Sequence, residues 1–340
     1  MNYILLTGGL GFIGSNVVVE LIKNNYNIIV FDNLYNSNMN VITNICRLTQ
    51  SKNLIFIKGD ILNINSLNNV FEYNINCVIH FAAYKAVSES IKNPLKYYNN
   101  NIIGLLNILN KCNEKNINNF IFSSSATVYG NSISPLFETS TTGIGITNPY
   151  GQTKYICEQI LSDVCKSNNN FKAICLRYFN PVGAHPSGLI GENPNSIPTN
   201  LMPIILRIVK KNQLNNNLDC KLSIFGNDYN TKDGTCERDF IHVTDLANAH
   251  VKAFKKINVL NNNYNVYNIG TGKPTSVLDL INKFQEANNI TIPYVFKDRR
   301  DGDIDILYCD SSKTINELEW EAKLTITDIC KDSYNFIKNN

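Results

Sequence analysis

The chain is expected to fold as an α/β protein: a doubly wound parallel sheet followed by a smaller C-terminal α/β domain. Three observations predict it. Short apolar runs alternate with helical periodicity as far as Asn180, a glycine-rich turn joins the first run to the first helix, and beyond Asn180 prolines divide the chain into shorter pieces.

The strand-like runs are residues 3–6, 28–31, 54–57, 77–81, 119–122 and 173–177, with helical patterns between them such as 13–23 and 100–111. Strictly alternating strands and helices build a parallel sheet, whose ligands bind at the carboxyl ends of its strands. After Asn180, Pro181, Pro186, Pro194, Pro198 and Pro203 interrupt regular structure. Residues 239–255 and 267–285 again read as strand or helix. The expected division is a first domain over 1–180 and a second over 181–340, some of whose segments return to the main sheet. There is no internal repeat.

With 340 residues, 44% of them hydrophobic, the chain can bury a full core as one large or two closely joined domains. A net charge of +3 argues against a nucleic-acid partner held by phosphate neutralisation. None of the ten cysteines forms a C-x-x-C pair, and most lie in apolar runs such as Ala173-Ile174-Cys175-Leu176, as expected of reduced thiols in a cytoplasmic protein. The N-terminus MNYILLTGG runs from an apolar strand into a glycine turn, without the basic segment of a signal peptide. No apolar run is long enough to cross a bilayer, so no membrane partner is expected. Asparagine runs at 215–217 and 261–263 read as loop filler, and Asn289-Ile290-Thr291 as a chance sequon.

Thr7-Gly8-Gly9-Leu10-Gly11-Phe12-Ile13-Gly14 follows the first strand and opens the first helix. Glycines there permit a tight turn and close backbone approach, and a helix N-terminus favours a pyrophosphate. The second strand ends at Asp32, at the spacing of a Rossmann-like dinucleotide site. Its carboxylate accepts from both ribose hydroxyls and repels a 2′-phosphate, which favours NAD over NADP. A structural glycine turn with a solvated aspartate is the plainer alternative. Asp60, after the third strand, reads equally as an acceptor for the adenine amine or as a turn residue. His80-Phe81-Ala82-Ala83 places small residues where a cofactor passes close to the backbone, with His80 itself a buried, satisfied histidine.

Residues 122–130, FSSSATVYG, put hydroxyls at the end of the fifth strand, and NPYGQTK places Tyr150 and Lys154 four apart on one helix face. The lysine charge and the positive charge of the oxidised nicotinamide are both expected to lower the tyrosine pKa, leaving Tyr150 as general base with Ser125 to relay or orient the proton. Each residue alone is more often structural. Their order after a dinucleotide fingerprint makes the set specific.

With these motifs and HFAAYKAVSES, LRYFNPVGAHPSG, IPTNLMP, LSIFGNDYNTKDGT, RDFIHV and RRDGD, the whole chain resembles the extended short-chain dehydrogenase/reductase superfamily and, within it, the UDP-glucose 4-epimerase family. The resemblance implies that UDP-glucose and UDP-galactose interconvert at C4 through a 4-keto sugar, with tightly bound NAD restored in each cycle. For NAD it implies Gly8, Gly11, Phe12, Ile13 and Gly14 at the pyrophosphate. It places Asp32, Asn33, Leu34, Tyr35, Asn36 and Ser37 around the adenosine ribose, with Asp60 and Ile61 beyond. Phe81, Ala82, Ala83, Lys85, Asn100, Ser125, Tyr150, Lys154, Tyr178 and Phe179 complete that set. For the substrate it implies Lys85, Ser125, Ala126, Thr127, Tyr150, Asn180, Asn200 and Leu201. Ser223, Ile224 and Phe225 would sandwich the uracil, Arg238 and Arg300 bind the diphosphate, Asp303 a ribose hydroxyl, and Leu307 gate the sugar 2-substituent. The alternative for both arginines is a surface ion pair, and for Leu307 a core position. The family is usually homodimeric, here through helices that include 100–111 and 150–164.

Gln152 departs from the basic residue frequent in relatives, and the asparagine-rich 214–219 segment precedes the uracil residues. A 4,6-dehydratase needs an added acid and base, but Ser125-Ala126-Thr127 holds no carboxylate. No site for a decarboxylase's C6 carboxylate is recognised. A non-catalytic NAD sensor would not need both Tyr150 and Lys154.

Overall fold

The computed structural model describes residues 1–195, 198–300 and 302–339; Ile197 of the IPTNLMP motif and Asp301 of RRDGD lie outside them. The six expected runs form β1 (Tyr3–Thr7), β2 (Ile28–Asp32), β3 (Leu54–Lys58), β4 (Ile75–His80), β5 (Asn119–Ser125) and β6 (Lys172–Tyr178). Later strands are β7 (Asn180–Val182), β8 (Leu222–Phe225), β9 (Glu237–Arg238), β10 (Phe240–His242), β11 (Tyr264–Ile269), β12 (Thr275–Ser276), β13 (Tyr294–Lys297) and β14 (Ile306–Leu307).

The main sheet has the order β11-β6-β5-β4-β1-β2-β3, with every neighbouring pair parallel. After β3 the chain crosses to the other side of β1, so the carboxyl ends of β1 and β4 part around a crevice, the expected ligand position in such sheets.

Burial on both faces explains the continuous apolar strands. Ile4, Leu6, Ile28 and Val30 pack under the helices Phe12–Lys23 and Val243–Lys256. Leu5, Ile29 and Phe31 face the helices Ile64–Val70, Gly104–Glu114 and Pro149–Ser167. A separate core holds the later region together, where Met202, Ile205, Ile224, Phe240, Leu280 and Phe284 gather between the helices Leu201–Asn215 and Val277–Asn288 and their strands.

Three details differ from the sequence reading. The helix expected over 100–111 begins as a π-helical turn, Asn99–Ile103, before regular helix at Gly104–Glu114. There the Asn101 side chain accepts from Tyr84 N–H at 2.9 Å and donates to Thr153 Oγ1 at 3.0 Å, which ties the turn to two other segments. Pro203 does not break structure, because it lies in the first turn of Leu201–Asn215, where an amide donor has no intrahelical partner. Asn216 is more than filler. It ends that helix in the left-handed conformation, φ 50°, which asparagine adopts more readily than other side chains.

Candidate active site

The glycine turn forms the floor of a cleft of about 900 Å³ at the crevice. Gly8 has φ 69°, and a Cβ there would stand 2.7 Å from Ala82 N, so β1 and β4 meet too closely for any side chain. A Cβ on Gly14 would stand 2.6 Å from Gly8 O, which lets the helix pack on the turn. Gly11 is the N-cap of Phe12–Lys23, with no side-chain cap bond, so the helix's first amides are left for a ligand. Gly11, Phe12, Ile13 and Gly14 all line the cleft. Uncapped amides at the positive end of a helix suit an anion.

Asp32, at the tip of β2, also lines the cleft. Its Oδ2 accepts from Leu10 N–H at 3.0 Å, and its Oδ1 from Leu34 N–H at 2.8 Å and Ser37 Oγ at 3.0 Å. The carboxylate therefore clamps the glycine turn to the 33–37 loop. Leu34 holds φ 63°, uncommon for a leucine, and turns away from the cleft into the core. Asn33, Tyr35, Asn36 and Ser37 line the same end. Asp60 does not. It accepts from its own turn at Leu62 N–H and from Asn33 Nδ2, both at 2.8 Å, between Gly59 and Ile61, which line the cleft.

A dinucleotide fits this end: amides for a pyrophosphate, a fixed carboxylate for ribose hydroxyls, and no side chain where the backbone must approach. Phe81, Ala82, Ala83, Lys85, Asn100 and Tyr178 carry the lining onward. Lys85 pairs with Glu192 at 2.6 Å, and Glu192 also accepts from Asn200 Nδ2 at 3.1 Å. That link closes one rim, and no motif of the sequence pointed to Glu192. Tyr178 donates to His250 Nε2 at 2.6 Å, because His250 Nδ1–H is engaged by Leu246 O at 2.8 Å.

Tyr150 and Lys154 line the far end of the cleft. Pro149 opens their helix, and Asn148 Oδ1 caps it by accepting from Gly151 N–H at 2.8 Å, a contribution of about 1 kcal/mol. Ser125 ends β5, accepts from Thr127 N–H at 3.2 Å, and its hydroxyl acts to lower the Tyr150 pKa. Burial holds the Tyr150 pKa above its ordinary value, and the Ser125 hydrogen bond alone opposes it. Lys154 Nζ instead donates to Ser123 O at 2.5 Å, 4.7 Å over the Phe122 ring and 6.0 Å from the centre of the Tyr150 ring. Burial pulls the Lys154 pKa down to about 8, against Cys157, Cys175 and Glu158, which raise it. His80 is satisfied and neutral: its Nδ1 meets Thr7 Oγ1 at 2.7 Å, and burial, then Lys154, lowers its pKa to about 3.

The remaining residues lie beyond this end. Ala126 and Phe179 are buried in a small cluster that half-buried Leu307 joins, and Thr127 Oγ1 donates to Ser125 Oγ at 3.0 Å. Asn180 Oδ1 is buried with no hydrogen-bond partner among the described residues, an acceptor suited to a bound group. Leu201 packs on the later core, and Ile224 is buried in it, so β8 presents only Ser223 and Phe225 on its open face. Arg300 lies over Phe225, 5.1 Å from the ring centre, and bonds Asp303 at 2.8 Å, while Arg238 stands 3.7 Å from Asp303. Both arginines thus share one carboxylate, at the open end where β9 pairs with β14.

Fold and site define a Rossmann-like protein whose polar groups gather at one end of a dinucleotide cleft. The NAD dependent epimerase/dehydratase family matches residues 4–270, and the chain belongs to it. It is 46% identical to the UDP-glucose 4-epimerase of Bacillus subtilis, over 99% of this chain and 97% of that protein. It is equally 46% identical to the bifunctional protein GAL10 of Pachysolen tannophilus, but spans only 49% of it. Among solved structures, UDP-glucose 4-epimerase from Bifidobacterium longum in complex with NAD+ and UDP superposes with a TM-score of 0.93 at 42% identity, covering 99% and 98% of the two chains. The UDP-Glc/GlcNAc 4-epimerase of Campylobacter jejuni gives 0.84 at 34% identity, covering 100% of each chain.

Proposed function

We propose that this protein interconverts UDP-glucose and UDP-galactose at the sugar C4, using NAD that it retains through the cycle. The observation that carries this reading is that Tyr150 and Lys154 line the cleft at the end away from Asp32, with the Ser125 hydroxyl acting on the phenol. Bound NAD supplies a hydride acceptor that returns the hydride, together with a positive charge near the phenol. Tyr150 takes the proton from the sugar O4, and Ser125 orients it. Lys154 holds its charge against the end of β5. Arg238, Arg300 and Phe225 keep the nucleotide in place while the 4-keto sugar turns over to present its opposite face to the returning hydride, and Tyr150 gives the proton back to O4. Arginine suits the diphosphate because its planar fork makes paired, charge-assisted bonds. The test is conversion of UDP-glucose by purified protein with no cofactor added. A requirement for NAD in stoichiometric excess would overturn the reading.

We further infer that residues 1–180 carry the cofactor side and 181–340 the nucleotide-sugar side, that the protein is cytoplasmic, and that it works as a homodimer. No helix of the described residues is long and apolar enough to cross a membrane. Val87, Ile91, Leu95, Ile103 and Leu106 form an exposed apolar series on consecutive helices, with Leu95 81% exposed, which suits a second copy. Sedimentation at the mass of one 38.3 kDa chain would refute the dimer.

Leu307 tunes the range of sugars accepted. It is smaller than tyrosine and bulkier than serine, so the N-acetylated UDP-sugar is expected to turn over measurably but more slowly than UDP-glucose. Apolar contacts of this size discriminate by about 1–3 kcal/mol. Leu307→Tyr should exclude the acetylated sugar and spare the plain one, and Leu307→Ser should raise its turnover. An unchanged ratio of the two rates in both variants would assign Leu307 to the core.

A further inference from the structure

Beneath the reacting end lies a buried network that the proposed chemistry does not use. Tyr150, Lys154 and Glu158 recur every fourth residue along the helix Pro149–Ser167, and Glu158 is 1% exposed. Its Oε1 accepts from Ser124 Oγ at 2.5 Å and from Arg177 Nε at 2.9 Å, and its Oε2 from Arg177 Nη2 at 2.6 Å. Arg177, 4% exposed, also donates to Tyr129 OH at 2.9 Å, which in turn donates to Asn268 Oδ1 at 2.6 Å. One carboxylate thus joins the helix to β5, through the residue beside Ser125, and to β6.

We propose that Glu158 is a positioning residue for the reaction, holding the helix face of Tyr150 and Lys154 against the strand end that carries Ser125. This rests on the reading of those three residues given above. The fork between Arg177 and Glu158 is bidentate and fixes an orientation as well as a distance. Because Ser124 and Ser125 are adjacent on β5, any slip of the helix along the strand that breaks the Ser124 bond also displaces Tyr150 from Ser125.

Glu158 has a second effect, on charge. The titratable groups facing Lys154 are Tyr150, Cys157 and Glu158 on its own helix, Cys175 on β6 and His80 on β4. Burial lowers the imidazole and raises the phenol and both thiols, Cys157 to about 12, so these groups are neutral near pH 8. Cys157 and Cys175, then Glu158, raise the Lys154 pKa against the larger lowering by burial, and of the three only Glu158 sits in an ion pair, with Arg177. Lys154 keeps its charge below about pH 8 and loses it above. Without the carboxylate, and with the Arg177 charge unpaired, that loss moves to lower pH.

The test compares parent, Glu158→Gln, Ser124→Ala and Tyr150→Phe as purified holoenzymes. Glu158→Gln is expected to retain NAD and to keep KM for UDP-glucose within about twofold. Its kcat should fall by about 10²-fold, the scale of a misplacement near 1 Å, and the alkaline limb of its kcat profile should shift to lower pH. A kcat within about twofold of the parent overturns the proposal, and so does a loss of kcat with the limb unmoved, the mark of general loosening. Ser124→Ala leaves the ion pair intact, so it decides the matter if Glu158→Gln does not fold. It is expected to lose about tenfold in kcat at unchanged KM, and parental kcat overturns the proposal. An active Tyr150→Phe would refute the site reading itself. An inactive Tyr150→Phe beside a fully active Glu158→Gln would remove the positioning role alone.

Discussion

Tyr150→Phe is expected to fold, keep its bound NAD and lose about 10²–10⁴-fold in epimerisation rate, the usual contribution of a positioned general base. The substitution removes one oxygen and leaves the ring in place. The helix keeps its Asn148 cap and Pro149 start, which involve no atom of the phenol. What disappears is the hydroxyl that meets Ser125. The raised Tyr150 pKa sharpens the expectation, because a buried phenol protonated near neutral pH must lose its proton before it can act as a base. Steady-state turnover with NAD content measured on the same preparation checks this. Turnover near that of the parent would show that the proton leaves by another route.

Asp32→Ala is expected to purify largely free of dinucleotide, with NAD affinity lower by about 10²-fold. Hydrogen bonds to a charged group are worth about 1.5–3 kcal/mol each, and 1.4 kcal/mol is a factor of about ten. The loss is compound. The carboxylate proposed to hold the ribose also fixes Leu10 N–H, Leu34 N–H and Ser37 Oγ, so its removal loosens the glycine turn and the 33–37 loop together. The parent protein should release NAD on denaturation. Recovery of NADP, or full NAD content in the variant, would show that Asp32 does not select the cofactor.

The cradle was legible in the sequence because its physics is local. Glycine spacing, the strand before it and the aspartate ending the next strand all follow from backbone geometry within a few turns of chain, and the six first strands were legible for the same reason. Orientation across elements was not. Helical spacing places Tyr150 and Lys154 on one face, yet it does not reveal that the ammonium turns to the Ser123 carbonyl rather than to the phenol. Nor does it reveal that Glu158, one step further along that face, meets Arg177 on another strand. The alternation of β8, with one buried face, is the local signal that Ile224 points opposite to Ser223 and Phe225. The π-helical turn depends on Asn101 bonding to distant segments, a tertiary cause without a local signature.

The place of β11 has a consequence for how the molecule is made. Among the described residues this strand stands at the edge of the main sheet beside β6, and residues 179–263 intervene between them. During synthesis β6 emerges early as an open parallel edge, and its partner leaves the ribosome only after the chain has passed Ile269. Contacts so distant in sequence form slowly, and an unpaired apolar strand is a template for association with another nascent chain. A truncated product that stops short of β11 would therefore retain the whole glycine cradle yet expose the flank beside Arg177 and Tyr178. The open edge persists until β11, Tyr264–Ile269, has been made.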